Sequence, residues 1–375
     1  MIINNAKVYR NGHFESASIE FDSHIRSFSP GEGMDACGAY IIPGLIDVHT
    51  HGAMGIDASD CTAEQIHHLA QFYSDNGVTS FCFTTLTVPA DELRGAMKNI
   101  RAYERFGGEA KCAGVHLEGP FVSRGKCGAQ NPDNILKPDI ALFNELNELS
   151  GGMVRLITVA PEVEGALDFI REASKVCTVS LGHSTADYDQ AMAGFEAGAT
   201  HVTHLFNGME PFHHRKPSLV GAALTAGANV ELICDGVHIH PAMIVAVHKM
   251  FGDRLIIVSD SLRCAGLCDG RYNLGGLPMI VRDGRATLLD GTIAGSSSNL
   301  LQELRNVVSY GVPLEAAVKA MTETPAKDIG VFDSIGSLET GKCADFLVLN
   351  KDLKLMATFI DGKLVNGTTD FESVK

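Results

Sequence analysis

Eight short apolar runs, separated by stretches of helical periodicity, constrain this chain more than any other feature. They fall at 41–51, 78–85, 112–118, 154–160, 178–183, 201–206, 230–234 and 255–260. Their length and β-branched content read as buried strands. The intervening segments, such as 62–76 and 241–251, carry apolar residues at helical spacing and end near glycine. Eight alternating strand and helix units predict an α/β fold of TIM type, a (β/α)8 barrel, with its active site at the C-terminal ends of the strands.

The two ends of the chain have a different texture. Short strands with Gly and Asn turns are predicted at 2–9 and 18–21, and again at 344–349 and 357–365. A small β-sandwich built from both termini follows, as 1–42 and 335–375, with the barrel inserted at 43–334. From about Asn366 onward the chain is expected to fray.

Composition narrows the function class. The chain carries 30 Lys+Arg against 45 Asp+Glu, a formal charge of −15, with 45% hydrophobic residues. It can bury a large core, so it is not a disordered chain. A nucleic-acid partner is not expected, because the dense basic patch is confined to His213-His214-Arg215-Lys216. No apolar run reaches the ~18 residues of a membrane span, and Met1-Ile2-Ile3-Asn4-Asn5 lacks the basic region of a signal peptide. The ten cysteines are scattered without a C-x-x-C pair, which reads as reduced thiols and a cytoplasmic protein.

Metal-type side chains recur where the strands end. The first run closes on Asp47-Val48-His49-Thr50-His51, and period two points both imidazoles to one face. Later runs lead to His116-Leu117-Glu118, Gly182-His183, Thr203-His204, Asp235-Gly236-Val237-His238 and Ser259-Asp260. One histidine at a strand end is an ordinary structural residue. Metal-type ligands at the same end of several strands suit a metal centre. The pair His67-His68 lies in a helical pattern and reads as surface, and Cys264 and Cys268 read as loop variation.

Particular segments carry a family resemblance. Pro43-Gly44-Leu45-Ile46-Asp47-Val48-His49-Thr50-His51-Gly52 resembles the opening barrel strand of the amidohydrolase superfamily, and Gly336–Asp345 resembles its return into the sandwich. Gly114-Val115-His116-Leu117-Glu118-Gly119-Pro120-Phe121, Leu181-Gly182-His183-Ser184, Thr203-His204-Leu205-Phe206-Asn207 and Asp269–Gly276 resemble the N-acetylglucosamine-6-phosphate deacetylase family. Their order matches, over nearly the whole chain. The resemblance implies release of acetate from N-acetyl-D-glucosamine 6-phosphate. The galacto epimer and a cyclic amide are the alternative substrates.

It also implies roles. Many amidohydrolases bridge two metals with a carboxylated lysine after strand four, but Ile157-Thr158-Val159-Ala160-Pro161-Glu162 has none. Glu118 is then the available anionic ligand, with His183 and His204, for one divalent cation, zinc or iron(II). His49 and His51 either hold a second cation or hydrogen-bond the barrel mouth. Asp260 is the general base and acid, taking a proton from water and returning it to the departing amine. Arg215 and His238 match phosphate contacts, with Arg215 reaching across a homodimer interface. Asn207 and Gly208 match sugar or phosphate contacts, and Ile293-Ala294-Gly295 matches a rim loop. In Ala129-Gln130, Gln130 stands where some members carry a histidine that polarises the acetyl carbonyl. Its amide can donate a hydrogen bond but cannot become cationic.

Overall fold

The computed structural model describes residues 1–371. Eight parallel strands lie side by side in chain order: Leu45–Thr50, Val78–Thr85, Lys111–Glu118, Val154–Val159, Thr178–Leu181, His201–Val202, Asn229–Ile233 and Leu255–Val258. The ring closes beyond the strand ends. Asp260 N–H donates to His49 C=O at 2.9 Å, and His51 N–H donates to Ser261 C=O at 2.9 Å. Every residue of Val78–Thr85 is buried, as expected where side chains fill the barrel on one face and helices cover the other.

The predicted helices form where expected. Thr62 caps Ala63–Asp75 in a capping box with Gln65, and Ile66, Leu69, Ala70 and Tyr73 form its buried stripe. Pro241–Phe251 starts with proline at a first-turn position, where a missing N–H costs nothing.

The predicted strand 41–51 is two strands. Tyr40–Pro43 belongs to the terminal sheet and Leu45–Thr50 to the barrel. The break is at Gly44, whose N–H donates to Asp345 C=O at 2.9 Å. A Cβ there would sit 2.0 Å from Thr79 Oγ1, so only glycine lets the chain cross between sheets here. Three other predicted strands end two or more residues early. The fifth stops at Leu181, the sixth at Val202 and the eighth at Val258. Beyond them His183, His204 and Asp260 take φ of 45°, 28° and 45°, a left-handed backbone that leaves a strand ladder.

Both termini build one continuous eight-stranded sheet, in which Phe346–Leu349 pairs with Tyr40–Pro43. Its own core includes Ile3, Val8, Ile19, Phe21, Phe346 and Phe359. The expected fraying from Asn366 is corrected up to Phe371. Asn366 and Gly367 lie in the last strand, Asn366 Nδ2 donates to Asp75 C=O at 2.9 Å, and Phe371 is buried. Residues 372–375 lie outside the described residues.

The sequence reading missed one element. After the eighth barrel strand, Gly270–Leu274, Leu277–Arg282 and Arg285–Leu288 form a small antiparallel sheet. Its two-residue turns are Gly275-Gly276 and Asp283-Gly284, all with positive φ. Those dipeptides between β-prone runs are the hairpin signal that could have revealed it. The sheet leads into Thr292–Gly295 at the barrel mouth.

Candidate active site and metal centre

Two ligand clusters share one carboxylate at the mouth of the barrel. In the first, Glu118 Oε1 lies 3.1 Å from His183 Nε2 and 2.9 Å from His204 Nε2, and the two imidazole nitrogens are 3.1 Å apart. In the second, Asp260 Oδ1 lies 3.2 Å from His51 Nε2 and 3.5 Å from His49 Nε2, with the two imidazole nitrogens 3.3 Å apart. Glu118 Oε2, 3.3 Å from His51 Nε2, joins the two. All six residues are buried.

This donor set fits a divalent cation. His49 Nδ1 faces Glu231 Oε2 at 2.8 Å, His51 Nδ1 faces Thr84 C=O at 3.1 Å, and His183 Nδ1 faces Lys126 C=O at 2.9 Å. Those oxygens only accept, so each Nδ1 carries a proton and leaves Nε2 facing the cluster, where a cation would take its lone pair in place of a proton. His204 reaches the same cluster through Nε2, while its buried Nδ1 has no hydrogen-bond partner among the described residues. The surrounding carboxylates favour positive charge at this place, on the rings themselves when no cation is bound. Burial works against a charged His49, yet Glu231, Asp260 and Glu118 outweigh it and push its pKa up to about 9. Burial is likewise overcome at His51, which Asp260 and Glu118 raise well above the ordinary range. At Glu118 burial opposes the charge, but the facing imidazoles hold its pKa well below the carboxylate norm. The pocket draws in positive charge.

Backbone strain aims these groups. His183, His204 and Asp260 each hold a left-handed φ just past a strand, a cost of roughly 1–3 kcal/mol apiece that surrounding bonds sustain. The Asp260 carbonyl accepts from Ser296 N–H at 2.7 Å, and His204 N–H donates to Glu231 Oε2 at 3.1 Å.

A cavity of about 330 Å³ opens over the clusters, within the size range of small-molecule sites. Of the residues singled out in the sequence, His51, Glu118, His183, His204 and Asp260 line it. So do Ala129, Gln130, Asn207, Gly208 and His238, together with Ile293, Ala294 and Gly295. His49 sits behind the cavity wall. Gln130 is already engaged: Nε2 donates to Glu118 Oε2, and Oε1 accepts from Thr87 N–H at 2.7 Å. Asp235 Oδ2 orients His238 through Nδ1 at 2.8 Å, and His238 Nε2 meets Ala294 C=O at 2.7 Å. Burial opposes the His238 charge, and Asp235 overcomes it and raises the pKa.

Two groups lie elsewhere. Arg215 is exposed, rests on His214 Nε2 at 2.7 Å, and lines a separate groove with Tyr188 and Glu210. His67, expected at the surface, is half-buried: it meets Glu109 Oε1 at 2.9 Å and stacks on Phe106 with ring centroids 4.0 Å apart. Glu231 was missed altogether. A lone acid in the apolar run Asn229-Val230-Glu231-Leu232-Ile233 was the available signal.

A model of the amidohydrolase family matches residues 40–365. The chain belongs to the amidohydrolase family. This amidohydrolase is 35% identical over 330 residues to the N-acetylglucosamine-6-phosphate deacetylase of Vibrio furnissii, covering 87% of this chain and 82% of that protein. It is 36% identical over 330 residues to the N-acetylgalactosamine-6-phosphate deacetylase of Escherichia coli O157:H7, covering 87% and 88%. Among solved structures, a mutant N-acetyl-D-glucosamine-6-phosphate deacetylase from Mycobacterium smegmatis in complex with N-acetyl-D-glucosamine-6-phosphate superposes with a TM-score of 0.90, at 30% identity, over 97% of this chain and 99% of that one. In this amidohydrolase no helix among the described residues is long and apolar enough to cross a membrane.

Proposed function

We propose that this amidohydrolase removes the acetyl group of N-acetyl-D-glucosamine 6-phosphate, giving D-glucosamine 6-phosphate and acetate. One observation carries the reading. Asp260, a carboxylate without a Lys or Arg partner among the described residues, faces the Glu118–His183–His204 cluster inside one small cavity. A divalent cation, zinc or iron(II), held by Glu118, His183 and His204 would polarise the amide carbonyl and supply a nucleophile at neutral pH. His49, His51 and Asp260 offer a second such site.

The chain's own residues do the rest. Asp260 takes a proton from the attacking water as the new C–O bond forms. It then returns that proton to the amide nitrogen as the C–N bond breaks, because an unprotonated amine is a poor leaving group. The balance is water plus amide giving acetate and the protonated amine. Gln130 steadies Glu118 through its amide, and Thr87 N–H fixes the direction of that amide. His238, held by Asp235 through Nδ1, binds the phosphate by giving up the Ala294 carbonyl and donating its Nε2–H to a phosphate oxygen. Arg215 lies outside its own chain's cavity, which supports a homodimer in which it reaches the partner's substrate phosphate.

Acetate release by the purified, metal-loaded protein tests the reading, on this substrate and on its galacto epimer. No release from either substrate overturns it. A larger kcat/KM on the galacto epimer moves it to the second sugar, which the Escherichia coli relative makes the nearest alternative.

A further inference from the structure

Glu231 is fully buried in the middle of the seventh barrel strand, between apolar neighbours Val230 and Leu232. An ionised carboxylate there is costly unless every lone pair has work to do. Its Oε2 accepts from His49 Nδ1 at 2.8 Å and from the His204 backbone N–H at 3.1 Å. One oxygen thus touches a residue of each ligand cluster. Its Oε1 lies 3.1 Å from His201 Nε2, at an angle poor for a hydrogen bond. His201 Nδ1 in turn pairs with Asp328 Oδ2 at 2.9 Å, and Asp328 Oδ1 accepts from Asn229 Nδ2 at 2.7 Å. Thr178 Oγ1 pins the Asp328 carbonyl at 2.7 Å. Thr178, His201 and Asn229 begin strands five, six and seven, so this string runs from the closed end of the barrel to the ligand clusters.

A third cation site is the competing reading, since His49, His116 and Glu231 lie close together. His116 does not suit it. Its Nδ1 faces Val48 C=O at 3.2 Å and its Nε2 faces Thr158 Oγ1 at 2.8 Å, so both ring nitrogens are engaged. The group is a brace.

We propose that Glu231 is a positioning residue that sets both ligand clusters: it turns His49 so that Nε2 faces Asp260 and Glu118, and it holds His204 in its left-handed backbone. His201 and Asp328 brace it from below. The inference rests on the cation reading above. It also explains how His204 can be placed although its own Nδ1 has no partner: the grip is on the main chain.

The test is cobalt(II) binding, read by stoichiometry and by the visible absorption of the bound ion, on the whole protein with Glu231→Gln. The glutamine keeps the shape, but it offers one acceptor and an N–H2 in place of two acceptors. Wild type is expected to take up two ions per chain. The variant should bind at the His49–His51 site about 10–100-fold more weakly, with an altered cobalt spectrum. If wild type binds no cobalt, the cation reading falls and this inference with it. If wild type binds two ions and the variant binds them equally well with the same spectrum, this inference alone falls. Should the variant not fold, nitrogen-15 imidazole spectra of the cation-loaded wild type decide. An exchange-protected proton on His49 Nδ1 supports the brace, and a proton on Nε2 refutes it.

Discussion

Gly295→Ala adds a methyl where the fold leaves no room. An ideal Cβ at that position lies 2.5 Å from the Asp260 carbonyl oxygen, 2.8 Å from Asp260 Oδ1 and 3.0 Å from Leu262 Cδ2. The first contact is about 0.9 Å short of the 3.4 Å at which ordinary contact begins. Asp260 cannot simply retreat, because its N–H is tied to His49 C=O at 2.9 Å and its C=O to Ser296 N–H at 2.7 Å. The overlap is relieved by moving the rim loop, the carboxylate, or both, by most of an ångström. Misplacing a reacting group by about 1 Å costs on the order of 100-fold in rate, or roughly 2.7 kcal/mol of barrier. The expected result is kcat about 100-fold below wild type, KM within several-fold, and an unchanged circular dichroism spectrum. Acetate release measures the first two. The decisive control is the double variant with Asp260→Asn. If the methyl acts through Asp260, adding it costs little more once the carboxylate is gone. A fully additive loss refutes the argument, and so does a kcat within threefold of wild type.

Three further outcomes follow from the same geometry. Asp260→Asn should lose roughly 10²–10⁴ in kcat and keep its cation at Glu118, His183 and His204, as read by metal analysis; near-normal turnover removes Asp260 from its role. Glu303 is buried, with only the Cys234 N–H on its Oε2 among the described residues, and burial, aided by Asp235, raises its pKa well above the ordinary 4.5. The folded chain therefore keeps a proton that the unfolded chain releases, so this group's contribution to stability declines as pH rises above about 4.5, by up to ~1.4 kcal/mol per unit. Glu303→Gln should gain stability relative to wild type between pH 5 and pH 8 in urea unfolding; a constant difference across that range counts against the assignment. On the proposed homodimer, Arg215→Ala and Asp260→Asn subunits mixed together should complement each other and recover activity; none recovered means that the site is not shared.

Much of the candidate site's residue set could be read before any fold was known, for identifiable reasons. His49 and His51 are two apart on a strand, so one face was the only arrangement period two allows. Glu118 stands at the end of the third strand. His183, His204 and Asp260 were read as lying at the ends of predicted strands, although none lies in a strand and each points inward through a left-handed backbone. That conformation has no signature in residue identity. Gly44 shows a similar limit: 41–51 has strand composition throughout, and only the approach of Thr79 makes position 44 a break. Glu231 was overlooked because a lone acid in an apolar strand has no periodicity of its own.

The sequence by itself determined the donors, their order along the chain, and the alternation that winds them into a barrel. These depend on side-chain chemistry and on short-range spacing, which a linear text carries. Only the tertiary structure decided which donors meet. His49 and Glu231 are 182 residues apart and 2.8 Å distant in space. A hydrogen bond is made over about 3 Å or not at all, so no property of either residue alone could announce the pair.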